Sequence, residues 1–376
     1  MKIKPRLSAI AAISGLASLC LSTGMMFAIP AQAQERVVNF YNWSNYIAPD
    51  VLEDFRKETG IRVIYDTFDA NEMLEARLQA GKSGYDLVVP TAYFLQRQIA
   101  ANFLKPLDKS KLPNYDANVW PEIAAKLAVY DPGNRHAANY MWGTTGIGYN
   151  VKMVENILGP GARIESWDDI FIPEKIAKLK DCGIQMLDSA DDILPAALHY
   201  LKLDPNSTAT ADLEKAAEVV RKIQPYVRKF HSSEYLAALA GGNICLVVGW
   251  SGDIMQARRR AAEANNGVVI GYAIPKEGAQ MFFDNLAIPA DAKNVDEAYA
   301  LINYLYRPDV AAKNSNHLSY ANGNLASQKL IAPEVLNDKS IYPDEETMKK
   351  LFIITARPPA LTRTINRLWT RVKTGR

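Results

Sequence analysis

Between residues 37 and 90 the hydrophobic pattern switches repeatedly between a two-residue and a 3.6-residue period. This alternation limits the fold more than any other feature of the chain. Val37 to Tyr41 reads as a strand. Pro49 then opens a helical stretch with Val51, Leu52 and Phe55 on one face, and Gly60 closes it. Ile61 to Asp66 is β-branched and alternating, a second strand. Asn71 to Ala80 carries Met73, Leu74 and Leu78 in helical register and stops at Gly81, and "YDLVVP", Tyr85 to Pro90, is a short buried strand. A β-α-β-α-β order needs crossover connections, which produce a parallel, doubly wound α/β sheet.

That order gives meaning to the uncharged aromatic stretch "YNWSNYI", Tyr41 to Ile47. Large aromatics usually belong to the core. In open α/β sheets, however, ligands bind outside the carboxyl ends of the strands. Trp43, Ser44, Asn45 and Tyr46 follow the first strand, and Thr91, Ala92, Tyr93 and Phe94 follow the third. Two aromatic-polar loops on one rim favour a binding-site wall over a loop prop.

The second half repeats the grammar. "NICLVVGW", Asn243 to Trp250, reads as a buried strand, then Ser251-Gly252-Asp253, then a helix from Ile254. Val268 to Pro289 reads as two strands around a Lys276-Glu277-Gly278 turn, with Phe282 and Asp284 on one face of the second. Gly146-x-Gly148 lacks the third glycine of a dinucleotide fingerprint and reads as a close-packed hinge. The expectation is two lobes with a cleft between them: 34–144 plus about 268–325, and 145–267 plus about 326–376.

Lys2, Lys4 and Arg6 precede a largely apolar run from Leu7 to Phe27, and Ala31-Gln32-Ala33 supplies a small-x-small cleavage site. Residues 1–33 therefore read as a signal peptide, cut before Gln34. Its removal takes three positive charges and moves the formal net charge from +2 to −1. A near-neutral chain offers no field for nucleic acid or anionic lipid. The one dense basic run, Arg258-Arg259-Arg260, reads as a solvated helix face. Cys182 and Cys245 survive processing, and an even pair in an exported chain reads as a disulfide. The four histidines lack metal spacing, so neither metal nor cofactor is expected.

The rim residues are aromatic and acidic: Trp43, Tyr93, Trp250 and Phe282 with Asp253 and Asp284, and "DSADDI", Asp188 to Ile193, nearby. Such a lining suits a small organic cation with an apolar middle, since a desolvated cation–π contact contributes about 2 kcal/mol. A helix N-terminus is an equally good reading of "DSADDI". An enzyme reading competes. "GWSGD", Gly249 to Asp253, lies between strand and helix like a nucleophile elbow, and Ser251, Asp284 and His317 follow hydrolase order. Against it, Asp253 stands where the elbow needs its final glycine.

The runs "YNWSNYIAPD", "GYDLVVPTAYFL", "YMWGTTGIGYN", "FHSSEYL", "GNICLVVGWSGD" and "IPKEGAQMFFDNLAIPADAKN" extend over essentially the whole chain after the leader. In these it resembles the periplasmic polyamine-binding proteins of bacterial ATP-driven importers, most closely the putrescine-binding branch. The resemblance implies a two-lobed periplasmic-binding-protein fold of type II: a monomeric, non-enzymatic receptor in the periplasm that carries a polyamine to an inner-membrane permease. It implies that Trp43 and Trp250 sandwich the alkyl chain with Phe282 and Tyr320, and that Asp253 and Asp284 hold one ammonium. Asp192 would take the far amine, with polar contacts from Ser44 and Thr91, and Cys182 and Cys245 fall where that branch carries a bridge. Asn45 stands where the family carries an acid, Tyr93 follows the spermidine-binding pattern, and Asp192 is one methylene shorter than the family's Glu. Spermidine, agmatine or cadaverine are therefore alternatives to putrescine.

Overall fold

The computed structural model describes residues 35–375; the leader and its cleavage point lie outside them. Ten strands form one sheet: β1 (Val37–Trp43), β2 (Arg62–Phe68), β3 (Leu87–Val88), β4 (Ala137–Asn150), β5 (Ile184–Met186), β6 (Lys229–Phe230), β7 (Leu246–Trp250), β8 (Ile270–Ala273), β9 (Gln280–Ala287) and β10 (Ala321–Asn322). Their order is β2-β1-β3-β9-β4-β7-β5-β6, with β8 and β10 also on β4. The parallel pairing expected of a doubly wound sheet occupies both wings: β1 with β2 and β3, and β5 with β6 and β7. The middle is antiparallel, because β4 and β9 run against each other and against their outer neighbours.

Strand β4 makes the sheet continuous. All fourteen of its residues are buried, as a strand covered on both faces requires. Gly146 and Gly148 lie inside it. A Cβ on Gly146 would stand 2.4 Å from the Tyr272 hydroxyl, and one on Gly148 would stand 2.8 Å from the Ile254 side chain. The expected close packing is therefore present.

Two hydrophobic cores flank this seam. One gathers β1 to β3, the helix Val51–Thr59 and the helix Val295–Leu305, with Phe40, Phe55 and Leu74 fully buried. The other gathers β5, β7, the helix Thr210–Ile223 and the C-terminal helix Pro359–Thr374, around Trp167 and Tyr235. Strand β9 serves both by alternation: Met281 and Phe283 belong to the second core, and Phe282 and Leu286 to the first.

Three boundaries differ from the sequence reading. Trp43 is the last residue of β1 and not part of the following loop, because the ladder against β2 continues two residues past Tyr41, to Trp43 opposite Phe68. Tyr93 and Phe94 lie in the first turn of the helix Ala92–Ala100, and Ser251-Gly252-Asp253 open the helix Ser251–Glu263. Strands β8 and β9 are no hairpin, since each pairs with β4 at a different point along its length.

Cys182 and Cys245 form a disulfide with Cα atoms 5.5 Å apart and a sequence separation of 63. It ties the 3-10 turn Ala177–Cys182 to the residue before β7. In the loop-entropy model, closing a loop of this length stabilises by about 4 kcal/mol. Thiol titration of the denatured, unreduced protein should find no free thiol at these positions. The Cys182→Ser/Cys245→Ser double variant should lose roughly 3–4 kcal/mol in denaturant unfolding.

Candidate ligand-binding cleft

The carboxyl ends of β1, β3 and β7 and the first half of β9 converge on a cleft of about 800 Å³, counted to its open mouth. All twelve residues singled out in the sequence line it: Trp43, Ser44, Asn45, Tyr46, Thr91, Tyr93, Asp192, Trp250, Asp253, Phe282, Asp284 and Tyr320. Trp43 is fixed at the wall by its indole N–H, which donates to the Val89 carbonyl at 2.9 Å. The rings form a continuous lining. Trp43 meets Trp250 edge to face at 5.8 Å, Trp250 meets Phe282 at 6.5 Å, and Phe282 meets Tyr320 at 6.2 Å. The two tryptophans thus touch as a corner and do not stand as parallel plates. Two glycines make room for Tyr320: a Cβ on Gly252 would lie 2.2 Å from its ring, and one on Gly143 would lie 3.1 Å from it.

Three buried or half-buried carboxylates face inward, each held by directed donors. Asp284 accepts from the Thr91 hydroxyl at 2.6 Å and from the Tyr46 hydroxyl at 2.7 Å. The Thr91 hydroxyl itself accepts from the Asn71 amide at 3.0 Å, which leaves its proton for Asp284. Asp253 accepts from Tyr235 at 2.8 Å and Tyr320 at 2.9 Å. Both tyrosine oxygens also accept a backbone N–H from the start of the Ser251–Glu263 helix, so their protons point at the carboxylate. Asp192 accepts from Thr145 at 2.7 Å and from the Trp250 indole at 3.2 Å.

Hydrogen bonds to the ionised form oppose burial, and burial wins at all three. Burial pushes Asp253 up to about 6. Burial, with the charges of Asp192 and Asp253 nearby, pushes Asp284 up to about 7. Desolvation likewise raises Asp192. The cleft lining holds six carboxylates and no lysine, arginine or histidine. Apart from Asp188, which Lys373 pairs from outside the lining, no basic side chain of the lining offsets these carboxylates.

The remaining candidates sort by their partners. Asp188 lines the cleft but is held by Lys373 at 2.8 Å and by the Trp369 indole. Asp191 pairs with Arg357 at 3.0 Å, outside the lining. Asp191 and Asp192 both occupy the first turn of the helix Ala190–Tyr200, so the helix-terminus reading of "DSADDI" and the cleft reading both hold. Asn45 sits at the rim in a left-handed conformation (φ 55°), which Asn tolerates. Its amide oxygen accepts from Arg260 at 3.1 Å. The arginine triplet is thus more engaged than a solvated face: Arg258 pairs with Asp338, Arg259 donates to the His317 carbonyl, and Arg260 holds Asn45. The hydrolase triad does not assemble. The Ser251 hydroxyl accepts from the Thr144 N–H at 3.2 Å, and among the described residues no imidazole bonds to it. His317 borders a separate open groove with Arg259.

Sequence reasoning missed Asp69, Glu72, Tyr235 and Gln280. Asp69 and Glu72 follow β2, so the strand-end rule that selected 43–46 also covers them. Gln280 shares the alternation that selected Phe282 and Asp284. Tyr235 is fully buried behind Asp253 and carried no signal beyond its hydroxyl.

Residues 50–343 match the family model for bacterial extracellular solute-binding proteins. The chain belongs to that family. As a solute-binding protein it is 50% identical over 345 residues to the putrescine-binding periplasmic protein PotF of Escherichia coli, covering 92% of this chain and 93% of the relative. It is likewise 50% identical over 353 residues to the putrescine-binding periplasmic protein SpuD of Pseudomonas aeruginosa, covering 94% and 96%. A structure described as a putative spermidine/putrescine ABC transporter from Listeria monocytogenes superposes with a TM-score of 0.81 at 32% identity, over 91% of this chain and all of that one. The type II periplasmic-binding-protein fold is therefore the fold of this chain.

The raised carboxylates make the ligand-free solute-binding protein's stability pH-dependent. An acid whose pKa is higher folded than unfolded binds protons more tightly in the native state, so stability falls as pH rises between the two values. For Asp253 and Asp284 that window runs from 3.8 to about 6 and about 7. Scanning calorimetry of ligand-stripped protein should show Asp284→Asn raising Tm by roughly 1–3 °C at pH 8 and having little effect at pH 4.

Proposed function

We propose that this protein is a periplasmic receptor that captures a linear polyamine, putrescine first among candidates, and delivers it to an inner-membrane ABC permease. The observation that carries the reading is the cleft's lining of inward carboxylates and aromatic faces without one basic side chain. An ammonium between Asp253 and Asp284 supplies the missing charge, and a second near Asp192 completes a diamine. The two carboxylates are neighbours through their tyrosines, since the rings of Tyr46 and Tyr320 meet edge to face at 5.0 Å. Trp250 and Phe282 lie along the path between the acids and offer apolar cover to the methylenes. The names of the 50% identical relatives point to the same ligand class. We assign no catalysis to the cleft, and we take the protein to act as a monomer whose two lobes follow the two hydrophobic cores.

The ligand's second end is the least constrained. Tyr93 and Asp192 shape that side of the cleft, whereas Asn45 brings no charge and gives its oxygen to Arg260, whose own charge acts on Asp253. Agmatine, cadaverine and spermidine remain alternatives that the same lining accommodates.

Native mass spectrometry of freshly purified protein should reveal a carried-over amine. In calorimetric titration, Asp253→Asn should weaken putrescine binding at least a hundredfold, because removing one partner of a desolvated charge pair costs about 3–5 kcal/mol. The ligand-free Tm of that variant should not fall. An unchanged affinity would remove Asp253 from the site.

A further inference from the structure

Eleven buried side-chain polar atoms of the described residues have no protein hydrogen-bond partner, and one of them, Oε1 of Gln280, belongs to a residue that lines the cleft. Gln280 is 1% exposed, at the start of β9. Its backbone is locked between β4, opposite Thr145, and the segment around Phe352. A buried acceptor without a donor destabilises the fold, so a folded protein that keeps one usually meets it with something the isolated chain lacks.

The position on the strand says what that is. Side chains of β9 alternate, and Gln280, Phe282 and Asp284 all line the cleft. At about 3.3 Å per residue the first and last stand roughly 13 Å apart along the strand. This row places an acceptor at one end, an aromatic ring in the middle and a carboxylate at the other. Opposite residues of an antiparallel pair project to the same face, so Gln280 lies beside Thr145, whose hydroxyl holds Asp192. The amide therefore belongs to the Asp192 end, away from Asp284.

We propose that Gln280 reads the second nitrogen of the ligand: its amide oxygen accepts an N–H from the amine bound at the Asp192 end. This rests on the polyamine reading and deepens it. The ligand class becomes chains with an N–H donor at both ends, a terminal amine or guanidine, as opposed to monoamines. Asp192 supplies charge there, and Gln280 supplies a neutral acceptor that costs no further ionisation in an already crowded acidic site.

Gln280→Leu removes the acceptor and retains similar bulk. Ligand-stripped wild type and variant are compared by calorimetry with putrescine, and by thermal-shift titration with butylamine, which carries one nitrogen. The inference expects putrescine affinity to fall about tenfold or more, butylamine affinity to change less than threefold, and the ligand-free Tm to stay or rise. Putrescine affinity retained within twofold overturns it, as does an equal loss for both amines. A merely structural role would instead lower Tm. Should Gln280→Leu not fold, Gln280→Asn, which withdraws the same oxygen by one methylene, is read by the same criteria. Failure of the wild type to bind any polyamine would sink the receptor reading itself, a result distinct from failure of the Gln280 assignment.

Discussion

The cleft is organised by an electrostatic conflict: carboxylates buried together with too few positive charges to balance them. Asp192 and Asp284 are each 4% exposed. Ions so placed are stable only when paired or hydrogen-bonded. Thr145, Trp250 and Ser189 donate to Asp192, and two side-chain hydroxyls donate to each of Asp253 and Asp284. Burial still lifts all three pKa values, so the donors offset the desolvation only in part. A ligand bearing ammonium groups resolves the remainder, and a neutral or anionic one would not.

Much of the surrounding fold serves to hold these groups in place. Asp253 and Asp192 sit in the first turns of helices, where the helix dipole favours negative charge. Strand β9 carries Asp284 from the antiparallel centre of the sheet, where both cores grip it. Tyr46 and Thr91 come from the first core's strand ends, and Tyr235 comes from the second core. Donors from both sides of the seam thus meet in one cleft, and the closeness of Gly143 and Gly252 to Tyr320 shows how tightly the backbone must approach.

Much of this was legible in the sequence because strand-end placement is a local rule. A short hydrophobic run followed by aromatic and polar residues marks a rim, and it found Trp43 to Tyr46, Thr91, Tyr93, Trp250 and Asp253 without a structure. The same rule applied to β2 would have added Asp69 and Glu72. Strand alternation found Phe282 and Asp284, and one further step reaches Gln280. What could not be read was long-range. Nothing local says that Arg260 reaches Asn45 across 215 residues, or that Tyr235 orients Asp253 from behind. Nor does a strand pattern reveal that β8 and β9 pair with β4 and not with each other, since each pairing depends on residues more than a hundred positions away. The triad suggested by Ser251, Asp284 and His317 fails for the same reason: chain order carries no distance.

The most direct test of the account is calorimetric titration of ligand-stripped protein with putrescine at pH 6, run in two buffers of different ionisation enthalpy. The account predicts saturable one-to-one binding accompanied by net proton release, because an ammonium brought between Asp253 and Asp284 drives both toward the ionised form. Absence of saturable binding, or binding whose heat is the same in both buffers, would contradict the claim that these buried carboxylates receive a cation.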